Sequence, residues 1–241
     1  MGEMTDYLIA SCVFTSEFPE LSLRIREYAC SHWGMKIVRC CSPKYKLAHF
    51  TEKMPEGPLR DSWTELPDTA TFGEGDVVYS LCHNCLNIIE ETVPKAKIRS
   101  IWERIDEDPN FEYPDMAGTV ATLQDCWRSR ERTTEQDAVR RILDRMNVEW
   151  HEAKENREST KICGNSLYRP QPPRNPKVAP KHYLYGAKGK FVPHTAEEQE
   201  RIMEEYCSRF ETEKVICYCH YCLEGLLLGK KDAVHLAELL F

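Results

Sequence analysis

The pentapeptide Cys-His-x-Cys-Leu occurs twice in this chain of 241 residues, from Cys82 to Leu86 and again from Cys219 to Leu223. In both copies a helical pattern follows the pentapeptide, and then a turn containing lysine and an apolar segment. The cysteines that precede each copy also match in order: Cys12, Cys40 and Cys41 in the first copy, Cys126 and Cys163 in the second. A repeat that extends over so much sequence predicts a duplicated fold.

Both copies contain the same predicted order of elements: strand, cysteine, helix, strand, cysteine, long loop, strand, Cys-His-x-Cys, helix and strand. The first copy opens with the apolar run 7–10, and the second opens with 119–123 followed by a helix over about 134–146. Short apolar strands that alternate with helices predict βαβ units. We therefore predict an α/β fold of two duplicated βαβ-rich halves with parallel sheets, pseudo-twofold related, over residues 1–110 and 118–241.

Every repeated cysteine lies at a predicted strand end or in the turn after it, where parallel sheets gather functional groups. A Cys-x-x-Cys at a helix start presents its thiols to the positive end of the helix dipole, which favours the metal-binding thiolate. The sequence therefore predicts two metal sites. Their candidate ligands are Cys12, Cys40, Cys41, Cys82 and Cys85 in the first half, and Cys126, Cys163, Cys219 and Cys222 in the second.

The number of cysteines differs between the two predicted sites. Five thiolates exceed the four of tetrahedral zinc and the four of ordinary [4Fe–4S] ligation. The adjacent Cys40 and Cys41 suit different irons of one cluster better than a single ion. The four cysteines of the second half suit a [4Fe–4S] cluster or a zinc ion, and a site that has lost its metal is a third alternative.

The overall composition restricts the class of protein. Twelve cysteines allow a disulfide framework, but the long chain and the absence of a recognisable secretory signal favour metal ligands in a reducing, cytoplasmic compartment. No apolar run is long enough to span a bilayer. A net charge of −7 without a basic run argues against nucleic acid as a partner. Phosphate-loop, nucleophile-elbow and HExxH motifs are absent, so the chemistry is expected at the sulfur and metal centres.

The doubled order Cys…Cys-Cys…Cys-x-x-Cys resembles the cysteine-rich CCG domain of the heterodisulfide reductase B subunit and related iron–sulfur oxidoreductases. The resemblance covers nearly the whole chain and is strongest from Val215 to Leu240. It implies a noncubane [4Fe–4S] cluster on the five cysteines of the first half, working on disulfides or thiols. Ser42 replaces the glycine of the family motif, whereas in the second half Gly164 is kept and Ile162 replaces the first cysteine of the pair.

The resemblance implies an oxidoreductase subunit. Because the chain has neither a ferredoxin-like run of cysteines nor a flavin fingerprint, an iron–sulfur or flavin protein subunit is the expected electron donor. A small disulfide or thiol is the expected substrate. The alternatives are a zinc-stabilised structural or interaction protein without redox activity, and an electron-transfer module without a substrate.

The sequence also supports predictions for residues outside the two proposed ligand sets. Cys30 and Cys207 are predicted to be buried core thiols, and Cys217 should point away from Cys219 because neighbouring strand positions alternate. Three arginines follow Cys126 closely, namely Arg128, Arg130 and Arg132. Their predicted roles are to offset thiolate charge, to receive an anionic substrate, or to begin a solvated helix. The proline-rich stretch 169–182 predicts an extended surface loop or a clamp over the site or a partner, and 52–68 is its milder counterpart.

Overall fold

The computed structural model of the chain describes residues 4–42, 47–170 and 176–241. The strands are β1 (Asp6–Ile9), β2 (Lys36–Val38), β3 (Val77–Ser80), β4 (Lys97–Ser100), β5 (Val120–Gln124), β6 (Glu149–Glu152), β7 (Lys214–Cys217) and β8 (Asp232–His235). The helices are α1 (Cys12–Glu17), α2 (Pro19–Trp33), α3 (Leu47–Lys53), α4 (Pro58–Thr64), α5 (His83–Thr92), α6 (Ile101–Glu107), α7 (Thr133–Arg145), α8 (Gly164–Leu167), α9 (Ala196–Cys207), α10 (His220–Leu228) and α11 (Leu236–Leu240).

The strands form two four-stranded sheets, ordered β2-β1-β3-β4 and β6-β5-β7-β8. All of their strand pairs are parallel. The predicted α/β fold with duplicated βαβ halves is therefore confirmed. Both sheets have the same topology because the same alternation of short apolar strands and amphipathic helices occurs twice in the sequence.

Strand order determines where the repeated cysteines lie. In the first sheet, β1 and β3 are neighbours, and the chain runs from β1 out to β2 on one side before returning to β3 on the other. Ligand sites of open parallel sheets form outside the carboxyl ends of the strands at such a switch point. Cys12 follows β1 and Cys82 follows β3, while Cys126 follows β5 and Cys219 follows β7, so the switch point of each sheet carries cysteines.

Two helices illustrate how local sequence produces these elements. Pro19 occupies the first turn of α2, where its missing N–H costs nothing, and Gly34 ends the helix in the left-handed conformation (φ 65°). In α9, Thr195 accepts a hydrogen bond from the backbone of Glu198, and the Glu198 side chain accepts one from the backbone of Thr195. This capping box satisfies two amide donors at the start of the helix.

The chain packs as two compact units, and the second begins at Trp102. The halves predicted over 1–110 and 118–241 describe the sequence repeat and stay a prediction, and most of α6 lies in the second packing unit. An ion-pair cluster connects α6 with α7 within that unit. Asp106 of α6 bonds Arg141 at 2.6 Å and Arg145 at 2.8 Å, and both arginines lie on α7.

Two expectations about non-site regions were wrong. The stretch 52–68 is not an extended loop but includes α4, which starts at Pro58 and buries Trp63. Cys30 is exposed rather than buried, because the buried stripe of α2 repeats at four-residue spacing through Leu21, Ile25 and Ala29.

Within the described ranges, every helix is too short or too polar to cross a bilayer. The segment 169–182 is described only in part, since 171–175 lie outside the described residues.

Candidate metal centres

Four cysteine thiols meet in the second unit. Cys126 follows β5, Cys163 precedes α8, and Cys219 and Cys222 lie at the start of α10. Their Sγ atoms all lie within 4.8 Å of one another, and all four residues are buried. The Sγ atoms of Cys126 and Cys163 are 3.3 Å apart. This group could bind a metal ion, and it is the one group of three or more potential ligands within that distance among the residues that the structure describes.

The surroundings of these thiols oppose their joint ionisation when no cation is present. Burial and the neighbouring thiols raise the pKa of Cys126. The pKa of Cys222 is raised as well, first by its interaction with Cys126 and then by Cys163 and Cys219. Each thiolate in this space makes the next one harder to form, and a bound cation reverses that effect. The arrangement is therefore chemically suited to a cation rather than to four free thiolates.

Gly164 allows Cys163 to approach the Cys-x-x-Cys turn. Its φ angle is 38°, in the left-handed region that other residues avoid. A Cβ atom at this position would lie 2.1 Å from the carbonyl oxygen of Tyr221 and 2.7 Å from the Cα of Cys222. A residue with a side chain would push the start of α8 away from α10. The glycine is therefore required by close backbone packing at the four-thiol site.

A buried carboxylate connects the two strand ends that carry the ligands. Asp125, immediately before Cys126, accepts hydrogen bonds from the hydroxyl of Tyr218 at 2.6 Å and from the guanidinium of Arg140 at 2.8 Å. Tyr218 lies immediately before Cys219. One side chain thus fixes the ends of β5 and β7 relative to each other, and with them two of the four thiols.

The same network extends to the loop after β6. Arg140 bonds both carboxylate oxygens of Glu152 at 2.7 Å, and the side-chain oxygen of Asn156 accepts a hydrogen bond from the backbone N–H of Asp125 at 2.6 Å. Sequence patterns do not predict this network. Its one local signal is the acidic residue directly before Cys126, since its partners are dispersed along the chain.

We expect Asp125→Asn to destabilise the second unit by about 3 kcal/mol, because removing one charge of a buried pair leaves Arg140 incompletely compensated. Chemical denaturation of the metal-free chain, followed by fluorescence, measures this change in the free energy of unfolding. Asp137→Asn is the matched control, since Asp137 pairs with the half-exposed Arg157 and such pairs contribute about 1 kcal/mol or less. Equal effects of the two substitutions would contradict the structural role of Asp125.

The five cysteines of the first set also converge. All five are buried, and interactions between neighbouring thiols link them in the order Cys12, Cys40, Cys41, Cys85 and Cys82. The thiols of Cys12 and Cys41 lower the pKa of Cys40 to about 4. The same contacts with Cys40 raise the pKa of Cys12 and the pKa of Cys41. Among the thiols of this set, Cys40 is therefore the one whose surroundings favour the thiolate form.

A strained residue precedes the first of these cysteines. Ser11 is fully buried and has a φ of 62°, a conformation that costs about 1–3 kcal/mol for a residue with a side chain. It occupies the position that Asp125 has in the second half. The two sites thus orient their first cysteine by different means: a strained turn in the first, and a buried charge network in the second.

The three arginines after Cys126 differ in their surroundings. Arg128 is buried beside the four thiols and donates from its guanidinium to the hydroxyl of Ser166 at 2.6 Å. Arg130 stacks on Trp127 at 4.5 Å and bonds Glu131, and Arg132 is half-buried. Only the environment of Arg128 corresponds to the predicted offset of thiolate charge.

Two further cysteines behave as predicted. Cys207 on α9 is buried in the core. The Sγ of Cys217 lies 3.8 Å from the carbonyl oxygens of Cys219 and Val234, and it is not part of the four-thiol group.

Comparison of the chain with models of known protein families, with curated proteins and with solved structures finds no match in any of the three.

Proposed function

We propose that this chain is an iron–sulfur oxidoreductase of the heterodisulfide reductase B type. In this proposal the first five-cysteine set holds a [4Fe–4S] cluster for disulfide or thiol chemistry, and the second set holds a structural zinc ion. The observation that carries it is the convergence of five buried cysteines, including the adjacent Cys40 and Cys41. Zinc uses no more than four such ligands, so a fifth thiol and a vicinal pair favour a cluster.

The chemistry of the donor set supports a cluster in the first half. The surroundings of Cys40 favour its thiolate, which is the form that ligates iron. Cys12 and Cys41 would lose their protons when iron supplies positive charge. When bound, a [4Fe–4S] cluster would pass electrons from the donor subunit to a disulfide that is cleaved, or accept electrons from two thiols that form a disulfide. The role of the chain is to hold the cluster through Cys12, Cys40, Cys41, Cys82 and Cys85 and to keep the ligands out of bulk water.

The spacing of the second set supports zinc there. Zn–S bonds of about 2.3 Å in a tetrahedron set the four sulfurs about 3.8 Å apart. A [4Fe–4S] cluster carries each thiolate on a different iron, so it needs a wider set. The four thiols all lie within 4.8 Å, which fits the smaller group. The rigid network around Asp125 also suits a structural ion that does not change its charge.

The electron donor is proposed to be a separate iron–sulfur or flavin protein subunit. Nine of the twelve cysteines are assigned to two sites, and neither site resembles the ferredoxin-like run that relays electrons between clusters. A small disulfide or thiol is the proposed substrate. The alternative function, a zinc-stabilised structural or interaction protein, is favoured by one observation, the compact four-thiol group, which needs no redox chemistry to explain it.

We expect the anaerobically purified full chain to contain about four irons, about four acid-labile sulfides and about one zinc per chain. Metal analysis and sulfide determination on the same sample measure this. Zinc without sulfide, even after anaerobic reconstitution with iron and sulfide, would overturn the oxidoreductase assignment in favour of the interaction protein. About eight irons would overturn the assignment of zinc to the second set.

A further inference from the structure

Arg128 contacts every segment that contributes a cysteine to the four-thiol group. It lies two residues after Cys126, and its backbone N–H donates to the Cys126 Sγ at 3.4 Å. Its guanidinium bonds Ser166, which lies three residues after Cys163. It also stacks at 5.5 Å on Tyr221, which lies between the cysteines of the Cys-x-x-Cys turn.

The same guanidinium is covered by the segment 181–191. The rings of Tyr183 and Phe191 lie 5.3 Å and 5.6 Å from its central carbon. With Tyr221 they make a three-ring aromatic cage, and Arg128 retains only 7% of its exposure. Aromatic faces attract a desolvated cation. The segment begins as the π-helical turn Lys181–Tyr185 and includes exposed residues such as Lys188.

A buried guanidinium needs a negative neighbour, since removing an ion from water costs several kcal/mol. The four-thiol group supplies such a neighbour once its thiols are deprotonated, since Arg128 contacts Cys126 and, through Ser166, the segment of Cys163. Four thiolates around Zn²⁺ carry a net charge of about −2, which a fixed cation partly offsets. The corresponding position after Cys12 is the fully buried Phe14, so the two halves differ in charge at this position.

We propose that Arg128 is a positioning residue that supplies the counter-charge of the four-thiolate site and holds residues 181–191 over it. The proposal rests on the assignment of zinc to that site. Because residues around metal ligands commonly change metal affinity by about 10- to 100-fold, removing this charge has a measurable effect. Loss of the counter-charge also removes the cation on which Tyr183 and Phe191 pack, so the segment detaches more readily.

The test compares the full chain with Arg128→Met, which keeps the length of the side chain without its charge. Arg128→Lys keeps the charge without the planar group, and Arg130→Met removes a cation that stacks on Trp127 instead. Zinc affinity is measured anaerobically by competition with a chromogenic chelator. Arg128→Met is expected to bind zinc about 10- to 100-fold more weakly. Arg128→Lys is expected to stay within about tenfold of the parent chain, and Arg130→Met to equal it.

Trypsin cleavage after Lys188, with and without zinc, provides the second measurement. Cleavage is expected to accelerate when zinc is removed from the parent chain, and to be fast in Arg128→Met even at saturating zinc. Cleavage that does not depend on zinc or on Arg128 would overturn the covering role. Unchanged zinc affinity in Arg128→Met would overturn the counter-charge role.

If Arg128→Met does not fold, Arg128→Lys decides the question, since a loss of more than about tenfold with the charge retained would show that packing rather than charge matters. A parent chain that takes no zinc into its second set would contradict the proposed metal instead. That outcome is distinguishable from a zinc-loaded parent chain whose affinity does not depend on Arg128.

Discussion

Replacing Gly164 with alanine is expected to lower the free energy of unfolding of the second unit by about 3–5 kcal/mol, through strain and backbone overlap together. The added Cβ would lie 2.1 Å from the backbone oxygen of Tyr221. Because that oxygen belongs to the Cys-x-x-Cys turn, neither partner is a flexible side chain that can move aside. Relief requires α8 to shift from α10, which carries Cys163 away from the other three thiols.

Gly118→Ala is the matched control for this prediction. Gly118 also has a positive φ, 87°, but a Cβ there would meet nothing within 4 Å, so only the backbone term of about 1–2 kcal/mol applies. Denaturation of the metal-free variants measures stability, and zinc competition measures the site. Gly164→Ala should lose zinc affinity as well as stability, whereas Gly118→Ala should keep its zinc affinity. Equal losses of stability would mean that close packing at Gly164 contributes nothing.

The fold and the grouping of the cysteines could be predicted from the sequence because both depend on local patterns that occur twice. Strand–helix alternation determined the parallel sheets, and strand ends determined where cysteines meet. Gly164 also has a local signal, since a glycine directly after a candidate ligand is compatible with close backbone approach. The exclusion of Cys217 required only the alternation of side chains along a strand.

What the sequence could not supply were contacts between distant residues. Asp125 meets Arg140 across 15 positions and Tyr218 across 93, and no spacing rule connects such partners. The contacts of Asp106 on α6 with Arg141 and Arg145 on α7 likewise join residues 35 and 39 positions apart. The selection of Arg128 from three nearby arginines depends on aromatic rings that the segment 181–191 brings from elsewhere in the chain.

Substituting one cysteine from each set should separate the two metals. Cys40→Ser is expected to reduce iron and acid-labile sulfide to background while leaving about one zinc per chain. Cys40 interacts with both Cys12 and Cys41, so its loss removes a thiol that connects two other members of the first set. Cys163→Ser is expected to abolish zinc and retain about four irons. Metal and sulfide analysis of anaerobic samples checks both results.

The two variants should also differ in stability. A structural zinc ion contributes about 10–16 kcal/mol of apparent binding free energy in small zinc domains, so Cys163→Ser should unfold the second unit or leave it highly sensitive to protease. Cys40→Ser should leave that unit as resistant as in the parent chain, because the compact four-thiol site is intact. Cys30→Ser is the neutral control, since Cys30 is exposed and outside both sets. If Cys163→Ser lost iron and retained zinc, the assignment would be reversed. The second set would then hold the iron–sulfur cluster and the first set the zinc ion.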